Sequence, residues 1–398
     1  MKLSKRENII SPSITLEITA KAKELRESGL NVISFGVGEP DFNTPSNVIE
    51  EAYKAMIEGK TKYTEVAGIK ELREEICKKF KRDNDLNYSI DQIIVSNGAK
   101  QSLYNSFMAI LDDGDEVIVP KPYWVSYPEL IKLVGGVPIY SDSNEKENFK
   151  YNIKDLESKI TEKTKAIIIN SPNNPTGTVY TKEELLEIAK FCEKHNLIIV
   201  SDEIYEKLIY DKQNHISIAS LTEYAYNNTI VINGLSKSSA MTGWRIGYAA
   251  CANKRVIKLM TSIQSHTTSN INSISQYAAI EAIKNSEKDL KIMVKEFDNR
   301  RKYMIKRLDG IEGIQYIVPK GAFYVMVNIN NFFGKKINNT VIKDSLSFSK
   351  ELLEEEKVAV VPGIGFGVDD FIRLSYATSK ENIEEGMDRI EKFIKKLS

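Results

Sequence analysis

Six short apolar runs, separated by stretches with helical signals, constrain the fold of this chain more than any other feature. They are residues 92–96 (QIIVS), 116–120 (EVIVP), 166–170 (AIIIN), 197–201 (LIIVS), 229–233 (TIVIN) and 246–250 (IGYAA). Most are rich in Ile and Val, and each is apolar on consecutive residues. A strand with one wet face alternates apolar and polar residues instead. These runs therefore predict strands buried on both faces, as in a parallel sheet covered by helices. The segments between them carry helix-start chemistry. Thr181 and Glu184 form a capping box, in which a hydroxyl and a carboxylate satisfy free backbone donors. Thr44 stands before Pro45 as a cap residue stands before a first-turn proline. Alternating strands and helices imply an α/β unit of three layers, αβα, over residues 46–290.

Beyond it the pattern changes. A long helical stretch over about 273–308 is broken near Ser286. Residues 323–329, 358–361 and 371–376 then read as strands, and 344–357 and 379–397 as helices. In the last helix Ile383, Met387, Ile390, Ile394 and Leu397 recur at spacings that give one apolar face. A smaller α+β unit over residues 291–398 is expected, joined by an N-terminal arm, residues 1–45.

Composition narrows the function. Lys+Arg and Asp+Glu both count 55, so the formal charge is zero. A nucleic-acid partner would call for a basic excess, and no block of like charge marks a tail. No run approaches a signal sequence or a membrane span, so a cytoplasmic location and no membrane partner are expected. Cys77, Cys192 and Cys251 lie far apart without CxxC spacing and read as buried free thiols. His195, His215 and His266 show no ligand spacing, read as surface or loop residues, and leave no metal site.

Ligands of open α/β sheets bind beyond the carboxyl ends of the strands. Here those ends are polar and all different. They lead to Asn97-Gly98-Ala99-Lys100, to Lys121-Pro-Tyr-Trp124, to Ser171-Pro-Asn-Asn-Pro-Thr-Gly177, to Asp202-Glu-Ile-Tyr205 and to Gly234-Leu-Ser-Lys237. Taken singly each is ordinary loop chemistry. Together they offer a helix start for a phosphate, with Arg245 as a fixed cation, and a lysine able to form an imine. A carboxylate for a pyridine nitrogen and an aromatic ring for stacking complete the set. Those are the needs of pyridoxal 5′-phosphate (PLP).

Four motifs carry a family resemblance. The segment Ser236-Lys-Ser-Ser-Ala-Met-Thr-Gly-Trp-Arg-Ile-Gly247 resembles the PLP-lysine signature of the class I/II aminotransferases. Ser171 to Gly177, Ser201-Asp-Glu-Ile-Tyr205 and Phe371-Ile-Arg-Leu-Ser-Tyr376 are similar to three further family motifs, in the family's order. The likeness runs from about Pro12 to the C-terminal helix. It implies the PLP-dependent transferase fold of type I, with a mostly parallel sheet. Within the family the chain resembles the bacterial aspartate aminotransferases of the Iβ type, through Gly38-Glu-Pro-Asp-Phe42, Lys62-Tyr63, Ala99-Lys-Gln101 and Pro122-Tyr-Trp-Val-Ser-Tyr127.

The resemblance implies roles residue by residue. Lys237 would form the imine with the cofactor and shuttle the proton, and Asp202 would pair with the ring nitrogen. Tyr205 and Asn174 would hold the ring's 3-oxygen, and Trp124 would stack on the ring. Arg245 and the backbone at Gly98, Ala99 and Lys100 would bind the phosphate, with Ser236 also at the cofactor and Tyr63 reaching over from a partner in a homodimer. Arg373 would clamp the substrate α-carboxylate beside Gly38, while Lys100 and Thr15 would receive a distal carboxylate. The implied activity is ping-pong transamination of L-aspartate with 2-oxoglutarate, so amino acids and 2-oxo acids are the expected small-molecule partners.

Two departures qualify this. Ser11 stands where several relatives that accept prephenate have a basic residue. The arginine that other aspartate aminotransferases bring from the partner has no counterpart in residues 261–271. Aminotransferases of the same family acting on aromatic, alanine, methionine or prephenate-type substrates, and some C–S lyases, are the alternative within PLP chemistry. A transcription regulator with this fold would carry a DNA-binding domain ahead of it, and the likeness leaves no room for one. A nicotinamide-binding fold is disfavoured because Gly36-Val-Gly38 lacks the third glycine and Gly363, Gly365 and Gly367 have the wrong spacing.

Overall fold

The computed structural model describes residues 3–398; Met1 and Lys2, the start of the expected arm, lie outside them. A helix at Ile14–Glu27 and a two-residue strand, β1 (Ile33–Ser34), lead into the main sheet. All six apolar runs become strands of it: β2 (Ile93–Asn97), β3 (Glu116–Pro120), then, after a seventh strand β4 (Val137–Ser141), β5 (Thr164–Asn170), β6 (Ile198–Asp202), β7 (Thr229–Gly234) and β8 (Ile246–Cys251). Their order is β2-β8-β7-β6-β5-β3-β4. The pairings from β4 through β7 are parallel, and β8 runs antiparallel to both β7 and β2. The sheet is therefore mostly parallel, as expected. The sequence reading missed β4, whose VPIYS carries a proline. This strand closes the sheet and pairs only with β3, and a sheet edge tolerates the missing donor.

Consecutive apolar residues divide between the two faces of the sheet. On β5, Ala166 and Ile168 join one core with Leu103, Phe107 and Tyr127. Ile167 and Ile169 join another with Leu185, Ile188 and Cys192 on the opposite side. This is the three-layer arrangement, and it explains why the runs do not alternate.

The long helical stretch is two helices, Ser273–Asn285 and Glu287–Asp309, with Ser286 between them. The second passes unbroken through residues 290 and 291, where the boundary between units was expected. A smaller assembly follows, with β9 (Gln315–Tyr316), β10 (Tyr324–Asn328), β11 (Lys336–Ile337), β12 (Thr340–Val341), β13 (Val358–Ala359), β14 (Val361–Pro362) and β15 (Phe371–Ser375). Its sheet runs β14-β15-β10-β9, and β1 pairs in parallel with β13, tying the N-terminal segment to it. The final helix, Lys380–Lys396, buries the expected face of Ile383, Met387, Ile390 and Ile394.

Two local expectations are corrected. Thr181 and Glu184 do form the capping box, but Thr44 caps nothing: the cap position is Pro45, without a side-chain bond. The Thr44 hydroxyl donates to the Ala240 carbonyl at 2.8 Å and accepts from the Trp244 indole at 2.9 Å. Tertiary partners have recruited it. His215 lies in a loop, yet its ring is buried against Glu203 at 2.9 Å. All three cysteines are free; Cys192 and Cys251 are buried and Cys77 half-buried. Among the described residues no helix is long and apolar enough to cross a membrane.

Candidate active site

The carboxyl ends of β2, β5, β6 and β7 meet the start of the N-terminal helix and strands β10 and β15 around a cavity of about 490 Å³. Lys237 enters it three residues beyond the end of β7. Its ammonium donates to the Gly38 carbonyl at 2.5 Å and has no carboxylate partner. Burial pushes its pKa down to about 8, with Arg245 and Arg373 adding to the effect and Glu39 and Asp202 opposing it. A lysine so placed is readily neutral and nucleophilic.

Asp202, the last residue of β6, turns into the same cavity. Its carboxylate accepts from the Tyr127 hydroxyl at 2.7 Å and the Ile204 amide at 3.2 Å. Burial still pushes the carboxyl up to about 6, because those two donors and Lys237 only partly offset it. Three residues on, the Tyr205 phenol lies 2.9 Å from the Tyr324 hydroxyl.

Arg373 occupies the middle of β15, between β10 and β14. Its guanidinium is buried and donates to the Asn174 side-chain oxygen at 2.9 Å and the Gly36 carbonyl at 3.0 Å. Its Nε–H has no acceptor among the described residues. The group lies 4.3 Å from the centre of the Tyr324 ring. A buried, fork-shaped cation with an unused donor is a receptor for a carboxylate.

The helix Ala99–Ile110 starts at the cavity and leaves its first N–H groups free there. A positive φ at Gly98 and close backbone packing at Gly247 demand glycine at this corner. A Cβ on Gly98, whose φ is +83°, would sit 2.2 Å from the Arg245 guanidinium, and one on Gly247 would sit 2.1 Å from the Ala99 nitrogen. Arg245 donates to the carbonyls of Thr242 at 2.9 Å and Asn97 at 3.3 Å. Among the described residues it bonds no carboxylate, so helix start and guanidinium together form an anion cradle. The Lys100 ammonium lies 4.9 Å from the centre of the Trp124 ring. Desolvation, then Arg245, push its pKa down. Thr15 lines the wall with its hydroxyl 2.9 Å from that of Ser13, and Gly38, Asn174 and Ser236 complete the expected set.

Gly98 is not itself among the residues that line the cavity, and Tyr63, expected to reach a partner's site, lies outside it and is 90% exposed. Conversely, the sequence reading gave no role to Tyr127, Tyr324, Thr19 or Asn170, which all line the cavity. Tyr127 sat inside a quoted motif, and a tyrosine in the segment after a strand end was the available signal. Tyr324 is one aromatic in an apolar strand and gave none.

A second polar cluster lies behind the site. Glu203, Glu206 and His215 come close enough to hold an ion, but the Lys79 ammonium already rests on Glu206.

Residues 31–390 match the family model of aminotransferase class I and II. The chain is 50% identical over 398 residues to an aspartate aminotransferase of Bacillus subtilis (strain 168), covering 100% of both. It is 46% identical to a probable aspartate/prephenate aminotransferase of Aquifex aeolicus, over 99% of each chain. Among solved structures it is similar to the aspartate aminotransferase from Thermus thermophilus with maleate, with a TM-score of 0.93 and 42% identity over 98% of this chain and 99% of that one.

Proposed function

Because the chain belongs to the class I and II aminotransferases, we propose that it moves the amino group of L-aspartate to 2-oxoglutarate, giving oxaloacetate and L-glutamate, with PLP as cofactor. The observation that carries this reading is the pairing, in one cavity, of an amine with a loosened proton, Lys237, and a carboxylate with no hydrogen-bonded cation, Asp202. The two suit the aldehyde and the ring nitrogen of PLP, and the glycine-built cradle with Arg245 suits its phosphate. When bound, PLP supplies an electron-withdrawing ring that stabilises negative charge at the substrate Cα.

The chain's own residues do the rest. The Lys237 nitrogen would take the proton from the substrate Cα and hand it to the cofactor's C4′ carbon, on the other side of the amino nitrogen, and its lowered pKa suits both tasks. Asp202, fixed by Tyr127 and Ile204, holds a proton on the ring nitrogen. Tyr205 and the free amide of Asn174 donate to the ring oxygen, while Trp124 packs on the ring face. Ser236, Gly98, Ala99, Lys100 and Arg245 bind the phosphate. Arg373 clamps the α-carboxylate beside Gly38 with donors that the protein leaves unused. Lys100 and the Thr15 hydroxyl receive the distal carboxylate, which favours an acidic donor over an aromatic one. Two half-reactions would then share one site: aspartate would leave as oxaloacetate with its amino group kept by the cofactor, and 2-oxoglutarate would take that group up and leave as glutamate.

The active unit in this reading is a homodimer. Tyr63 stands 90% exposed, and Ile49, Tyr53, Met56 and Ile57 expose 47%, 62%, 48% and 71% on the neighbouring helix. Such a stripe fits a two-fold interface that carries Tyr63 to the other site. The free thiols fit a reducing cytoplasm.

The test is spectroscopic and chemical. The purified protein should be yellow with PLP, and aspartate should bleach that band. Borohydride should fix a pyridoxyl group on Lys237; labelling of any other lysine overturns the assignment. A donor panel with 2-oxoglutarate should rank aspartate first, and a phenylalanine optimum would transfer the reading to the aromatic aminotransferases.

A further inference from the structure

We propose that Tyr324 is a positioning residue that joins the carboxylate clamp at Arg373 to the phenol of Tyr205. The proposal rests on the aminotransferase reading above. Tyr324 opens β10, is fully buried, and reaches into the cavity from the smaller assembly. Its two halves touch different machinery. The ring carries the Arg373 guanidinium 4.3 Å from its centre. The hydroxyl lies 2.9 Å from that of Tyr205. The loop that holds Gly38 rests on the same hydroxyl, since a Cβ on Gly38 would lie 3.4 Å from it.

The proton count makes the hydroxyl matter. Each phenol has one proton, and only one of them can fill the bond between the two oxygens. The cation stacked on the Tyr324 ring makes that phenol the stronger donor. Tyr324 therefore donates to Tyr205, and the Tyr205 proton is left to point into the cavity, at the cofactor's ring oxygen. A phenol that accepts one bond also donates a stronger one, because hydrogen-bond chains polarise each other. The ring supports substrate binding and the hydroxyl sets the direction of Tyr205.

Tyr324→Phe separates the two halves, for it keeps the ring and deletes the hydroxyl. The direct readout is the pH titration of the visible band of the PLP-loaded protein, which follows the proton on the Lys237 nitrogen. A weaker Tyr205 bond leaves more negative charge on the ring oxygen, and that charge holds the neighbouring proton more tightly. The midpoint should rise by roughly half a pH unit, the scale of a fraction of one hydrogen bond. Tyr205→Phe should raise it further, and adding Tyr324→Phe to Tyr205→Phe should change nothing more, since the relay is already cut. Tyr324→Leu, which also removes the platform under Arg373, should raise KM for aspartate about tenfold, against less than about threefold for Tyr324→Phe. An unmoved midpoint in Tyr324→Phe, or additive shifts in the double variant, overturns the inference alone. A wild-type protein that binds no PLP at Lys237 overturns the reading beneath it.

Discussion

Asp202 and Glu206 lie one helical turn apart in sequence, both are buried, and their carboxyls are displaced in opposite directions. Asp202 faces the cavity, and burial pushes it up to about 6. Glu206 faces the back of the sheet. Burial would raise it too, but Lys79, then His215 and Lys207, overcome that and hold it down at about 2. In the back cluster the acidic groups are paired with basic ones. Lys79 rests on Glu206 and donates to Asn84 at 2.7 Å, and Asn84 donates to Glu206 at 3.0 Å. Glu203 faces His215 at 2.9 Å and accepts from Ser201 at 2.9 Å and Ser217 at 2.6 Å. The front cluster is incomplete: Lys237, Arg373 and Asp202 are bonded only to neutral groups. The difference separates charges that hold the fold from charges held ready for a ligand. The first kind is costly to break, and the second is costly to keep.

The largest test of this contrast is Lys237→Ala. Turnover should fall on the order of 10⁴-fold, the upper range for losing a positioned acid–base group. Stability of the cofactor-free protein in urea should stay the same or rise, because an uncompensated amine has left a desolvated cavity. A marked loss of stability would show that the front lysine also holds the fold, and the contrast would break.

Lys79→Met is the mirror experiment. It removes one partner of a buried pair whose side chains are each 5% exposed, and should cost about 3–5 kcal/mol. Turnover per folded molecule should stay near wild type. The pH dependence gives the sign. A carboxyl held at about 2 in the fold, against an ordinary 4.5 in the unfolded chain, contributes stability above pH 4.5 that drains away as pH falls toward 2. That acid loss should be flatter in Lys79→Met, read from unfolding midpoints between about pH 2 and 5.

Most of the front cluster was legible in the sequence, and most of the back cluster was not. The reason is topological. Parallel strands deliver their carboxyl ends to one edge, so Lys100, Asp202, Tyr205 and Lys237 could be grouped from the runs alone. Arg373 needed the family motif, because nothing in residues 371–376 says which assembly folds over the sheet. Tyr324 and His215 had no local signal. Tyr205, the partner of Tyr324, comes from a distant segment, and Glu203, the partner of His215, from the far end of an irregular loop, so only packing brings each pair together. The same holds for Thr44, whose local role as a cap lost to the Ala240 carbonyl and the Trp244 indole. Edge strand β4 was hidden by its proline.

Within the front cluster, Lys100 and Arg373 should differ in scope. Arg373 meets the α-carboxylate of every donor, so Arg373→Ala should harm aspartate, alanine and phenylalanine alike. Lys100→Ala should cost aspartate about 2–4 kcal/mol in kcat/KM, the scale for removing one partner of a desolvated charge pair. Alanine and phenylalanine, with no second carboxylate, should lose far less. Equal losses for aspartate and phenylalanine would mean that Lys100 serves only the phosphate turn.

The smallest effect is also the one that changes sign. Asp202 titrates in the cofactor-free fold at about 6, against an ordinary 3.8 in the unfolded chain, so its ionisation opposes folding. The cost is absent below pH 3.8, grows up to pH 6 and is complete above it. Asp202→Asn removes the charge and keeps an oxygen for the Tyr127 hydroxyl, 2.7 Å away in the wild type. At about pH 7 the cofactor-free variant should therefore be more stable than the wild type, by roughly 1–3 kcal/mol, and at about pH 4 the two should converge. PLP should reverse the order. A protonated ring nitrogen gives Asp202 the cation that the protein withholds, and the tighter ligand stabilises the fold more by mass action. Thermal unfolding of both proteins near neutral pH, with and without PLP, reads both signs without any assay of turnover. A variant less stable than wild type in both states would place Asp202 with the back cluster, as a charge the fold depends on.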